Sequence, residues 1–119
     1  MHDHPQVRAS PIFPVADLRR ALAHYAALGC TVSTHDDGYG FAARAGVELH
    51  LVVVADDDPR RGPAAAHLHV PDADVLATEW ADVPGTEGPV DTDYGLREGR
   101  HVDPDGNLLR FGSPIASRA

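Results

Sequence analysis

The 119-residue chain is long enough for one domain that buries roughly 65% of its unfolded surface, and short enough that an enclosed ligand cavity would call for a partner subunit. With 43% apolar and 24% charged residues and no apolar run near the ~20 residues of a membrane span, the composition points to a soluble globular protein rather than a membrane one. A formal charge of -8, eighteen acids against ten bases, leaves no basic face for nucleic acid.

The start, Met1-His2-Asp3-His4-Pro5, lacks the basic-then-apolar pattern of a signal segment, so the cytoplasm is the expected address. Residues 8–15 read as a short extended strand, which Pro11 and Pro14 confine to a sheet edge or to a crossing between subunits. Asp17 is the predicted N-cap of a helix whose Leu18, Ala21, Leu22, Tyr25 and Leu28 follow i, i+3, i+4, i+7 spacing, with Gly29 just past its end. Cys30 is the only cysteine; it excludes an internal disulfide and reads as a small buried residue rather than a nucleophile. Three strands follow, over 30–34, 39–43 and 47–54, separated by Asp36-Asp37-Gly38 and Ala45-Gly46.

Residues 55–63 have no periodicity and read as a linker. Beyond it the spacing predicts a strand over 65–70 and a second helix, capped by Asp72 or Asp74, through Leu76, Trp80 and Val83. The turn-rich stretch 84–93 has room for one short strand, and 94–102 and 107–112 close the chain as strands. Asp103-Pro104-Asp105-Gly106 joins these last two as a hairpin turn, because Pro104 presets φ and Gly106 accepts a positive one. In the final strand Leu109 and Phe111 share one face, while Leu108 and Arg110 share the other.

The second half repeats the first. Val15-Ala16-Asp17 followed by Tyr25 matches Val70-Pro71-Asp72 followed by Trp80 at an offset of 55, and Gly46 to Leu51 matches Gly106 to Phe111 at an offset of 60. An α+β fold of two tandem βαβββ modules is therefore predicted, module one over 8–54 and module two over 64–113. Each helix covers one face of a four-stranded sheet, which leaves the other faces to form a curled sheet or half-barrel cleft.

Pro14-Val15-Ala16-Asp17-Leu18, Glu48-Leu49-His50-Leu51, Asp72-Ala73-Asp74-Val75-Leu76 with Glu79-Trp80, Tyr94-Gly95-Leu96-Arg97-Glu98 and Asp103 to Phe111 resemble the glyoxalase/bleomycin-resistance/dioxygenase superfamily, also called vicinal oxygen chelate. The resemblance covers roughly residues 8–113 and is closest to the bleomycin-resistance branch. It implies a homodimer, with the first strand exchanged between subunits, that sequesters a cationic glycopeptide antibiotic in grooves at the dimer interface. The superfamily's enzymes hold a divalent metal through the first and fourth strands of each module. Those positions fall on Ser10, His50, Ala65 and Arg110, or on His67 in place of Ala65 if the register slips by two. Only His50 is a good donor in the first set, and Arg110 places a fixed positive charge where the cation would sit, so neither a metal nor another cofactor is expected.

Within this frame Tyr39, Phe41 and Tyr94 are the expected stacking residues, and Leu96, His50 and Arg110 complete the expected ligand contacts. Gly99 departs from the pattern, since an aromatic usually follows Arg-Glu there. Acidic pairs such as Asp36-Asp37 would draw a cation to a cleft if they rim it, and otherwise form a solvated surface. Of the other histidines, His2 and His4 belong to a loose start, His24 and His35 face solvent, and His67, His69 and His101 are structural strand residues. A second class of function stays open: a glyoxalase- or dioxygenase-fold enzyme acting on a small metabolite, with His50 and Glu48 or Glu98 as acid and base.

Overall fold

Local chemistry sets the elements of the computed structural model, which describes residues 6–115. Module one contains β1 (Ile12–Val15), α1 (Leu18–Ala27), β2 (Thr31–Asp36), β3 (Tyr39–Arg44) and β4 (Val47–Val53). The Asp17 carboxylate accepts from the Arg20 backbone N–H, satisfying one of the donors that every helix start leaves open. Module two contains β5 (Ala65–His69), α2 (Ala73–Glu79), β6 (Thr86–Asp91), β7 (Leu96–Val102) and β8 (Leu108–Pro114). Asp72, rather than Asp74, caps α2 by accepting from the N–H groups of Asp74 and Val75. The turn-rich stretch proves to hold β6, with an irregularity between Glu87 and Val90 where its register to β7 shifts.

Both sheets have four strands and the same order, β1-β4-β3-β2 and β5-β8-β7-β6. The first pair in each is parallel and the others are antiparallel. This is the expected α+β pair of βαβββ modules, and the two sheets do not close into a barrel.

Strand alternation places Phe13, Val15, Ala42, Leu49 and Leu51 on the buried face of sheet one, and Leu109 and Phe111 on that of sheet two. One continuous cluster joins these residues through Tyr25, Leu76 and Trp80. The two buried faces thus share a single core with the helices, and the opposite faces look away from it.

Polar contacts lock the modules in this arrangement. Tyr25 donates to Asp103 Oδ2 at 2.7 Å, the Trp80 indole N–H donates to the Leu28 carbonyl at 3.0 Å, and Asn107 Nδ2 donates to the Pro14 carbonyl at 3.0 Å. Arg44 pairs with Glu79, and Arg20 with Asp105 at 2.9 Å. His24, expected to face solvent, belongs to this junction as well. Its Nε2 lies 2.7 Å from Nε2 of fully buried His101, whose Nδ1 meets the Thr86 hydroxyl at 2.7 Å. The apolar stripe of α1 faces its own sheet, but the neighbouring helix face is covered by module two, so helical periodicity alone could not show that position 24 is enclosed.

Trp80→Ala is expected to lose ~3 to 5 kcal/mol in denaturant unfolding, since it removes a buried ring and one of the two donors to the Leu28 carbonyl, the other being Arg44. A loss under ~1 kcal/mol would show that the ring is not a core element.

Burial lowers the pKa of His101 to about 4, helped by the neighbouring His24, and burial also lowers that of His24 against the pull of Asp103 and Asp105. The unfolded chain takes up these protons as pH falls through ~6.5, while the folded pair resists. Stability is therefore expected to be full above ~6.5 and to decline by about 2 to 3 kcal/mol as pH falls toward 4, with His101→Gln flattening that slope in urea titrations at several pH values.

Candidate functional site on the outer faces of the two sheets

Tyr39, Phe41, Glu48 and His50 gather on the outer face of sheet one, because β3 and β4 alternate in register with Phe41 opposite His50. The Tyr39 hydroxyl lies 2.8 Å from His50 Nδ1, and His50 Nε2 lies 3.1 Å from Glu48 Oε1. Phe41 stands edge-on to the imidazole, at 5.0 Å between centroids and 89° between planes. The result is a tilted aromatic surface with a half-exposed carboxylate at its side.

Tyr94, Leu96 and Arg110 gather on the outer face of sheet two, around a residue that the ligand set omits. Glu98, with its side chain only 10% exposed, accepts from the Tyr94 hydroxyl at 2.6 Å, and its carboxylate lies 3.5 Å from Arg110 Nη1 and 3.6 Å from His67 Nδ1. The alternation Leu96, Glu98, Arg100 along β7 is the signal that places it there. Hydrogen bonding to Glu98 holds the exposed Tyr94 phenol above its ordinary pKa. The two predicted clusters thus form separately, one per module, on faces that point away from the shared core. The reading of His2 and His4 lies outside the described residues.

A different space opens between the modules. An apolar cavity of about 450 Å³ lies at their junction, walled by Val47, Leu49, Leu68, Val70 and Leu76, and none of the predicted ligand contacts lines it.

No protein-family model matches the sequence, and no curated protein matches it. Solved structures do. The bleomycin resistance determinant encoded on transposon Tn5 is 23% identical over 92% of this chain and 99% of its own, with a TM-score of 0.80. A bleomycin-binding protein complexed with bleomycin is 23% identical over 91% and 98%, at 0.79. The chain has the fold of the bleomycin-binding proteins. A third such protein, from bleomycin-producing Streptomyces verticillus and complexed with copper(II)-bleomycin, is 22% identical over 93% and 98%, with a TM-score of 0.73.

The strand register bears on the metal positions that the resemblance implies. Strand pairing sets Ile12, not Ser10, opposite His50, and His67, not Ala65, opposite Arg110. Ser10 precedes β1 altogether. Both shifts equal two residues, as a module offset of 55 requires. Ile12 offers no donor, Arg110 brings a guanidinium, and His50 and His67 sit on separate faces, so this set does not fit a divalent ion.

Gly99 also has a physical reason. A Cβ there would lie 2.5 Å from Phe111 Cζ and 3.0 Å from the Glu87 carbonyl, so the ring of Phe111 fills the space that a side chain would need. The position faces the core rather than the groove.

Arg110 is half exposed and pairs loosely with Glu98, so Arg110→Ala is expected to change unfolding stability by no more than ~1 kcal/mol. A loss beyond ~3 kcal/mol by thermal or chemical denaturation would make it a structural arginine.

Proposed function

We propose that the protein sequesters a bleomycin-type antibiotic in grooves between two copies of the chain, binding the drug without altering it. The observation that carries this reading is the outward placement of two complementary surfaces, the Tyr39, Phe41 and His50 face of one module and the Tyr94, Leu96 and Arg110 face of the other. Neither face is a closed pocket. Paired across a two-fold axis, the first face of one copy and the second face of its partner would enclose a groove with aromatic walls and two carboxylates, Glu48 and Glu98. Such a groove suits a planar, cationic ligand, through stacking worth about 1 kcal/mol per ring and through charge steering at a net charge of -8. The likeness to proteins solved with bleomycin and with copper(II)-bleomycin supports this ligand class.

An enzymatic reading draws on one specific contact. His50 is held between Tyr39 and Glu48, an arrangement that could move a proton at a small metabolite. It would show itself by turnover.

Calorimetric titration of dialysed protein with metal-free and copper(II)-loaded bleomycin tests the proposal. Sequestration expects one drug bound per chain, a dimer by sedimentation, drug recovered with unchanged mass, and roughly fivefold weaker binding in Phe41→Ala. Absence of binding to both forms, or a modified drug, would overturn it.

A further inference from the structure

We propose that the cavity between the modules is a binding site in its own right, one that takes an uncharged apolar molecule of two or three rings. The inference is independent of the drug-binding reading, since none of the outer-face ligand contacts lines this space.

The cavity is continuous with the shared core. Tyr25, Ala42, Leu49, Leu76, Trp80 and Leu109 form its inner wall, each of them buried. Its volume of about 450 Å³ falls within the roughly 300 to 1,000 Å³ of small-molecule sites, and is about three times that of the ~150 Å³ apolar cavity that takes up benzene. The mouth lies between the β3–β4 turn and α2, where the lining residues Ala45, Val75 and Glu79 are exposed, Val75 at 63%. A ligand can therefore enter from solvent and rest against core side chains.

The polar groups around the cavity are already committed, and this sets the ligand class. The Tyr25 hydroxyl donates to Asp103, and the Trp80 indole N–H donates to the Leu28 carbonyl. Arg44, at the rim, donates to the same carbonyl and pairs with Glu79, with 2.9 Å between its Nη2 and Glu79 Oε1. Asp72 is occupied as the cap of α2. Burial pushes the pKa of the Cys30 thiol up, so it stays protonated and offers only a weak donor. Water in such a space finds few of the roughly two to four polar partners it needs. An apolar ligand displaces it at little cost and gains the dispersion contacts that empty volume forfeits. A charged ligand would have to break the Arg44–Glu79 pair or lie unpaired among aliphatic side chains.

The test is a fluorescence titration of the full chain with N-phenyl-α-naphthylamine, an uncharged three-ring dye whose emission rises and shifts to the blue in apolar surroundings. One saturable site per chain is expected. Val47→Phe puts a ring into the space from the inner face of β4, so it should weaken dye binding about tenfold while keeping or raising the melting temperature, as cavity filling does. A second readout needs no variant. Cys30 is the only cysteine in the chain and lines the cavity, so saturating dye should slow its alkylation by a maleimide severalfold. Bleomycin added to the loaded protein should leave the dye in place. Absence of saturable dye binding, alkylation of Cys30 at an unchanged rate, or displacement of the dye by bleomycin would overturn the proposal.

Discussion

The structure hangs on the clasp that Asp103 and Asn107 make between the modules. Asp103 Oδ1 accepts from the backbone N–H groups of Asp105 and Asn107, and Oδ2 accepts from the Tyr25 hydroxyl and from Asn107 Nδ2. Asn107 in turn donates to the Pro14 carbonyl and accepts from the Ala64 N–H. One hairpin turn thereby grips the first strand, the first helix and the start of the second module. Gly106, at φ +86°, supplies the backbone reversal that brings these groups together. Buried carboxylates are costly unless fully hydrogen-bonded, and here every acceptor direction is used, so the clasp orders the junction as well as stabilising it.

That junction decides where binding can occur. Because the modules share a core, the surfaces proposed to contact ligand are turned outward, and the proposed groove, built from both kinds of surface, needs two copies. The electrostatics of the two faces differ in a way that suits this division. On sheet one the carboxylate of Glu48 is half open, beside an aromatic surface; on sheet two Glu98 is enclosed by Tyr94, His67 and Arg110. Arg110, half exposed and 3.5 Å from Glu98, is held loosely, so under the proposal a cationic ligand group could exchange with it at little expense.

Much of this was legible in the chain because its signals are local. The caps at Asp17 and Asp72, the alternation of β3, β4 and β8, and the turn before β8 each need only neighbours in sequence, and they placed the βαβββ repeat. What escaped was non-local. The pairing of β1 with β4 lies in a four-residue strand containing a proline, where alternation is too short to set a register, and it puts Ile12 rather than Ser10 opposite His50. His24 looked solvent-facing because its cover comes from His101, 77 residues away. Glu98 stood in the alternation of β7, but its role as the hub of sheet two appears only once β5, β7 and β8 lie side by side. No single motif names the proposed ligand, since stacking surfaces and carboxylates serve many planar cations.

The most direct measurement is a complementation between two damaged chains. Phe41→Ala impairs the first face and Tyr94→Ala the second, and the two variants, carrying different affinity tags, can be co-expressed and purified as mixed dimers. If each groove joins the first face of one copy to the second face of the other, both homodimers bind bleomycin weakly, while the mixed dimer regains one groove of parental affinity. Mixed dimers that bind no better than either homodimer would place the site within a single chain and contradict the account.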